Sequence, residues 1–268
     1  MSLLTDTDKA ELQEAKNLLE NPGVAAKITS YIGSPIEKGI ELLPNGWRDK
    51  IGEITQTALM KASEAAIFTM KDQPGEKSFN FWHKIGVAVT GGVGGFFGIA
   101  SLAVELPVST TIMLRSIADI ARSYGESIHE DDTKLACLAV FALGGDHKSD
   151  DSTESGYYIV RGLLAKSVAE AGEFVLTKKL AGEGAPILVK YLATISQRFG
   201  VQITEKLAAQ ALPLVGAVGG AAINTIFIDH FQDMAKGHFA VRKLERIYGK
   251  EMIRKVDEEI PAKVRQRK

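Results

Sequence analysis

The chain has 268 residues, of which 45% are hydrophobic and 24% are charged, and its formal net charge at pH 7 is −1. This length allows a substantial core, while the near-zero net charge offers no field for nucleic acid, so we expect no nucleic-acid partner. The single cysteine, Cys137, excludes an internal disulfide and fits a reducing compartment. The first twenty residues lack the basic and apolar regions of a signal peptide, which predicts a cytoplasmic location.

The first part of the chain has the pattern of four helices separated by proline and glycine breaks. Asp6 or Thr7 is a suitable N-cap for the first helix. Ser34, followed by a proline, is a suitable N-cap for the third. Apolar residues recur at helical spacing within each segment. The predicted spans are 6–19, 24–32, 34–43 and 47 to about 70.

An uncharged run of twenty residues, Ile85 to Val104, follows and contains six glycines. Its length meets the requirement for a membrane-spanning helix. Its glycines occur at GxxxG spacing, which favours close contact between two helices. We expect the run to end at the sequence ELP, residues 105–107.

A second apolar stretch, Leu207 to Ile228, repeats the GxxxG spacing and is the expected partner of the first. Two interpretations remain open: two tightly crossed helices in the core of a soluble bundle, or a hairpin that inserts into or rests on a bilayer. The glycines expected at the helix contact are Gly91, Gly95, Gly98, Gly216, Gly219 and Gly220.

The remaining segments are also helical in pattern, and the chain shows almost no period-two alternation. Each apolar stretch is followed by an amphipathic helix that ends in a Tyr-Gly pair, at Gly125 and at Gly249, and the second of these helices is predicted to start near Asp229. We therefore predict an all-α fold: a single multi-helix bundle with two central glycine-rich apolar helices packed against each other. The predicted divisions are an N-terminal helical extension over 1–45, a helical domain over 46–251 and a charged tail over 252–268.

Three segments together resemble the EcsC family of bacterial proteins. They read GGVGGFFGIASLAVELPVSTTIMLRSIADIARSYGE, GYYIVRGLLAK and LPLVGAVGGAAINTIFIDHFQDMAKGHFAVRKLERIYG, and the resemblance extends over roughly residues 62–251. It implies a bacterial protein in a cytoplasmic or membrane-peripheral setting, with a membrane transport system as a candidate partner. It implies no particular reaction.

Two groups of polar residues lie at the ends of the apolar stretches. Glu105 and Arg115 would need an ionic partner if buried, so we expect Arg115 to be largely buried and bonded to Glu105 or Asp119. The alternative is a clamp for a polar head group beneath an apolar cavity. The second group, around Asn224, Asp229 and His230, contains carboxylate and imidazole groups that suit a divalent ion. No metal-binding motif supports such a site, so we predict no metal or cofactor. The candidate ligand-binding residues are Glu105, Thr110, Thr111, Arg115, Asn224, Asp229 and His230.

The sequence favours a non-enzymatic helical protein that contacts a membrane or binds a lipid-like amphiphile, because it has long apolar segments and no nucleophile motif. Such a protein would be cytoplasmic or peripheral to the inner face of the membrane. One alternative is a hydrolase or metal-dependent enzyme that uses the polar residues at the ends of the glycine-rich helices. Another is a soluble protein-interaction module.

Overall fold

The computed structural model describes residues 4–20, 23–67, 98–145, 156–172, 186–213 and 215–261. All regular structure in these ranges is helical, which confirms the all-α prediction. The helices are α1 (Asp6–Leu19), α2 (Val24–Ile32), α3 (Glu37–Leu42), α4 (Trp47–Ala62), α5 (Gly98–Ser123), α6 (Asp131–Ala139), α7 (Gly156–Gly172), α8 (Pro186–Ala211), α9 (Gly216–Tyr248) and α10 (Lys250–Glu259). A π-helical turn, Ser63–Ile67, extends α4, and a 3-10 turn, Val140–Ala142, extends α6.

The long helices α8 and α9 form the centre of the bundle. At 1.5 Å per residue, the 33 residues of α9 extend for about 50 Å, and this helix contacts α1, α2, α5, α8 and α10. Helix α8 contacts α2, α3, α4, α7 and α9. Between the two long helices, four phenylalanine rings pack with centroids 4.7 to 6.2 Å apart: Phe141, Phe199, Phe227 and Phe231.

Helices α5 and α9 run parallel. Gln232 donates a hydrogen bond to Ser116, and Arg242 donates to Glu126, with the same sequence separation of 116 residues in both pairs. Each helix ends at the predicted Tyr-Gly pair, and Gly125 and Gly249 have φ of 81° and 89°, a backbone conformation that favours glycine. The two predicted Tyr-Gly stops are therefore confirmed.

The first three helices share the core of the rest of the chain. Leu12, Val24, Ile28 and Ile36 are buried in the same apolar cluster as the central phenylalanines. The hydroxyl of Thr5, rather than Asp6 or Thr7, caps α1 by accepting a hydrogen bond from the backbone N–H of Asp8. No side chain caps α3, which begins at Glu37 and so later than predicted from Ser34.

Two helix ends were predicted wrongly. Helix α5 continues through Pro107, so the ELP sequence does not end it. Proline removes the hydrogen bond to the carbonyl four residues earlier and its ring crowds that carbonyl. The residue concerned, Ala103, is exposed, so water can hydrogen-bond to the freed carbonyl. Helix α9 runs unbroken from Gly216, so no helix starts at Asp229. The beginning of the second apolar stretch, from Leu207, belongs to α8.

Candidate functional site

A buried lysine lies where α5, α8 and α9 meet. The ammonium nitrogen of Lys206 is 3.9 Å from a carboxylate oxygen of Glu105 and 5.2 Å from the centroid of the Phe227 ring. The Lys206 side chain is 8% exposed and that of Glu105 is 21% exposed. The three helices thus bring an ammonium, a carboxylate and an aromatic face together at one point, which we call the three-helix junction.

The ammonium of Lys206 is poorly solvated by the protein. Its distance to Glu105 is too long for a hydrogen bond, and the contacts described for Lys206 are this ion pair and the ring of Phe227. Burial lowers the pKa of Lys206, and the charge of Glu105 opposes that shift. Sequence reasoning missed Lys206, although Phe199, Ile203 and Lys206 follow the i, i+4, i+7 spacing of a buried helix face.

Asn224 lies on α9, three residues before Phe227 and so on the same side of the helix. It is 1% exposed, and neither its amide nitrogen nor its amide oxygen has a hydrogen-bond partner among the described residues. Thr110 on α5 is also buried, and its hydroxyl has no such partner. Glu105 in the three-helix junction and Asn224 next to it were both predicted as ligand-binding candidates, whereas no described contact joins Thr110 to the junction.

The other α5 candidates make contacts with backbone atoms. Arg115 is half-buried and donates to the carbonyl of Ala65 at 3.4 Å. Thr111 donates to the carbonyl of Pro107 at 2.7 Å. The predicted anionic partners of Arg115 have other cations close by, because Glu105 pairs with Lys206 and Asp119 pairs with Arg122.

His230 lies in the core, and Asp229, its neighbour on α9, is half-buried. Burial lowers the pKa of His230 to about 3, and the charge of Lys27 adds to this shift. The carbonyl of Leu143 opposes the shift, although neither ring nitrogen reaches it with hydrogen-bond geometry. The imidazole is therefore neutral at physiological pH, and it packs edge-on against Phe231 at a centroid distance of 5.2 Å.

The predicted glycine contact remains a prediction. Gly91 and Gly95 lie outside the described residues, and Gly98 and Gly216 are the first residues of α5 and α9. A methyl group added at Gly219 would meet the side chain of Val215, the residue just before α9, and one at Gly220 would meet no described atom within 4 Å. Close helix approach occurs instead at two glycines that the sequence did not single out, Gly39 against Ala208 and Gly237 against α1.

A second buried polar group joins α7 to α9. The hydroxyl of Tyr157 lies 2.9 Å from Nδ1 of His238, and Arg161 donates to that hydroxyl at 3.2 Å. Arg161 also binds Glu245 through two hydrogen bonds of 2.7 and 2.9 Å. In the sequence, Tyr157 and Arg161 are spaced i, i+4, and His238 and Glu245 are spaced i, i+7. These spacings place the two members of each pair on one face of a helix. The bidentate Arg161–Glu245 pair makes this group a link between helices.

Among the helices in the described ranges, none combines the length and the apolar character needed to cross a bilayer. The same part of the chain holds no cluster of three or more His, Cys, Asp or Glu side chains arranged to bind a metal ion.

Comparisons with curated proteins and with solved structures gave no match. A comparison with protein-family models matched residues 7–244 to the EcsC protein family. This range begins in α1 and ends in α9, so it is wider than the sequence motifs suggested and includes the helices before residue 46. Since the match extends over nearly the whole chain, the chain belongs to the EcsC protein family.

Proposed function

We propose that the protein binds acyl-chain amphiphiles presented by a bilayer, without altering them chemically, and that the exposed face of α5 makes the contact. The observation that carries this proposal is an exposed apolar stripe on the first half of α5. Val104 is 70% exposed and Val108 is 46% exposed. They lie at i and i+4, and Thr111 and Arg115 extend the same face at i+7 and i+11.

Single exposed valines are ordinary on a protein surface. These two belong to a segment of thirty residues, Ile85 to Leu114, in which Glu105 is the sole charged residue. The stripe ends at the guanidinium of Arg115, about 16 Å along the helix axis from Val104. An apolar face next to a basic side chain is typical of helices that lie in the interface of a membrane.

The enzyme alternative has less support from the geometry. Glu105 and Arg115 are ten residues apart on one helix, a rise of about 15 Å, which is too far for both to act on one reacting atom. His230 is enclosed in the core. A membrane transport system remains a candidate partner through the family resemblance alone.

Flotation with liposomes tests this proposal, with anionic phosphatidylglycerol vesicles compared with neutral phosphatidylcholine vesicles. Wild-type protein should float with the vesicles, and with the anionic ones more strongly because of Arg115. Val104→Asp removes about 1.5 kcal/mol of apolar burial, so the vesicle partition constant obtained from a lipid titration should fall roughly tenfold. Ile247→Asp is the matched control, since Ile247 is an exposed apolar residue (59% exposed) near the C-terminal end of α9, away from the stripe on α5.

Equal flotation of wild type and Val104→Asp would remove α5 from the contact surface. If wild-type protein stays out of the vesicle fraction and carries no lipid after purification, the lipid proposal fails and the soluble interaction module becomes the better hypothesis. Both substitutions lie on the surface, so melting temperatures should stay close to that of wild type.

A further inference from the structure

We infer that the three-helix junction binds the anionic head group, a carboxylate or a phosphate, of the amphiphile, with Lys206 as the charge anchor and Asn224 as a hydrogen-bond donor. This inference rests on the proposed function and assigns the head-group site within it.

Lys16 and Lys206 are equally buried, at 7% and 6% exposure, but they are solvated very differently. The ammonium of Lys16 donates to the carbonyls of Asp257 and Ile260 at 2.5 and 2.9 Å, and it has carboxylates of Asp257 and Glu20 within 3.8 Å. The ammonium of Lys206 has one carboxylate, at 3.9 Å, and donates no hydrogen bond to a described residue. An ammonium has three donors, and a buried charge without hydrogen bonds is unfavourable. Lys206 therefore has capacity for an additional anionic partner.

Asn224 shows the same contrast with a neighbour on its own helix. Gln232 lies two turns further along the same face of α9, is equally buried, and donates to Ser116 at 2.8 Å. Asn224 has two donors and two acceptor positions, and none of them is used within the described chain. Since Asn224 is one turn from Phe227, whose ring lies under the Lys206 ammonium, the unused amide and the under-solvated charge belong to the same junction.

Glu105 connects this junction to the surface. Its side chain is more exposed than that of Lys206, and its chain neighbour Val104 begins the apolar stripe. An anionic head group can displace the Glu105 carboxylate from Lys206, because that ion pair has no direct hydrogen bond to lose. The acyl chain would then follow Val104 and Val108 on the outside of α5. Glu105 repels the incoming anion, so its neutralisation should strengthen binding.

Isothermal titration of the full-length protein tests the assignment with sodium laurate, dodecyl phosphate, dodecanol and inorganic phosphate, each below its aggregation threshold. Wild-type protein should bind laurate and dodecyl phosphate at least tenfold more tightly than dodecanol or inorganic phosphate. Lys206→Met should weaken binding of the two anionic amphiphiles at least tenfold and leave dodecanol binding unchanged. Glu105→Gln should tighten their binding. Lys236→Met is the matched control, because Lys236 is an exposed lysine on α9, and it should bind like wild type.

Asn224→Leu keeps the charge and removes the donor, so it should weaken anion binding severalfold, and it tests the site independently if Lys206→Met does not fold. Equal laurate affinity in wild type, Lys206→Met and Asn224→Leu would overturn the head-group assignment and leave amphiphile binding intact. If no amphiphile binds wild-type protein, both proposals fail. If inorganic phosphate binds as tightly as dodecyl phosphate and Lys206→Met abolishes both, the junction is a site for free anions and the amphiphile assignment is wrong.

Discussion

Gly144 packs directly against the buried ring of His230. Its φ is +72°, and an added methyl group would lie 2.5 Å from Nε2 of His230 and 2.8 Å from the sulfur of Met234. Gly144→Ala therefore combines backbone strain of about 1–2 kcal/mol with overpacking of about 1–3 kcal/mol. We expect a loss of about 2–5 kcal/mol in the free energy of unfolding, measured by urea denaturation.

Gly46→Ala separates the two contributions to that loss. Gly46 has nearly the same φ, +78°, but a methyl group there would meet no described atom within 4 Å. Its substitution should show the backbone strain alone, about 1–2 kcal/mol. Equal losses for the two variants would mean that the core around His230 adjusts freely to the added methyl group.

At the scale of single residues, Asn224 is conspicuous in the sequence and Lys206 is not. A polar residue within an apolar helix stands out in the sequence, and Asn224 was selected as a candidate for that reason. Lys206 lies in a segment with other charged residues, Glu205 among them, so it resembles an ordinary surface lysine. Its burial depends on tertiary contacts, the packing of α8 against α9 and the pair with Glu105 of α5, which periodicity within one helix does not specify.

At the scale of helices, a buried carboxylate joins the parallel pair α5 and α9 at their C-terminal ends. Glu126 is buried and accepts hydrogen bonds from Arg242 at 2.9 and 3.0 Å and from Thr133 at 2.9 Å, and it also pairs with Arg246. Arg246 also donates to the carbonyl of Tyr124 at 2.6 Å. The two Tyr-Gly stops that the sequence predicts thus lie side by side, connected by Glu126.

Glu126→Gln should make the free energy of unfolding less dependent on pH in the acidic range. Burial tends to raise the pKa of Glu126, but the hydrogen bonds and charge of Arg242 and the charge of Arg246 outweigh it, so the pKa is lower than usual. A lowered pKa means that the stabilisation is complete above the unfolded-state pKa of about 4.3 and is lost as the pH falls through the folded-state pKa. We expect Glu126→Gln to lose about 3 kcal/mol at pH 7. The difference from wild type should shrink as the pH falls below about 4.

Glu258→Gln is the control for this experiment. Glu258 pairs with Arg254 at 3.2 Å on the surface of α10, and both side chains are about half exposed. Such a pair contributes roughly 0.5 kcal/mol, so the variant should unfold like wild type at pH 7. A gap between Glu126→Gln and wild type that stays constant down to pH 3 would contradict the linkage argument.

Helix ends were harder to predict than the helices themselves. Pro107 was taken as a stop, because proline disfavours helix interiors, but α5 packs against both α4 and α9, and these tertiary contacts hold its two halves in one helix. The glycines at the start of α9 similarly suggested a separate segment before Asp229. Their low helix propensity is a local effect of about 1 kcal/mol each, and packing of the long helix outweighs it.

At the scale of the whole molecule, α1 is fixed to the C-terminal helices. The carbonyls at the end of α10 accept hydrogen bonds from Lys16, Lys243 pairs with Glu11 at 2.8 Å, and Tyr248 donates to Asp8 at 2.6 Å. These contacts join residues more than 230 positions apart in the sequence. A pattern within the N-terminal segment carries no information about partners at that distance, and the predicted division at residue 45 stays a prediction.

Gly237 is the position at which α1 approaches α9 most closely among the described glycines, and it provides the test of this docking. A methyl group there would lie 2.7 Å from Cγ of Leu19 and 2.9 Å from the carbonyl oxygen of Ala15, so the backbone of α1 would have to shift. In an isolated helix, Gly→Ala stabilises by about 1 kcal/mol. At position 237 we expect overpacking of about 1–3 kcal/mol to exceed that gain, so Gly237→Ala should melt below wild type.

The matched variant Gly162→Ala has the opposite expectation. Gly162 lies within α7, is exposed, and has no described atom within 4 Å of the methyl position, so only the gain in helix propensity remains and the variant should melt above wild type. Thermal unfolding of the two variants compares the same chemical change with and without a facing helix. If Gly237→Ala also melts above wild type, α1 does not pack tightly on α9. If Gly237→Ala melts lower in one cooperative transition, the N-terminal helix unfolds together with the bundle, as expected for a chain whose core includes α1.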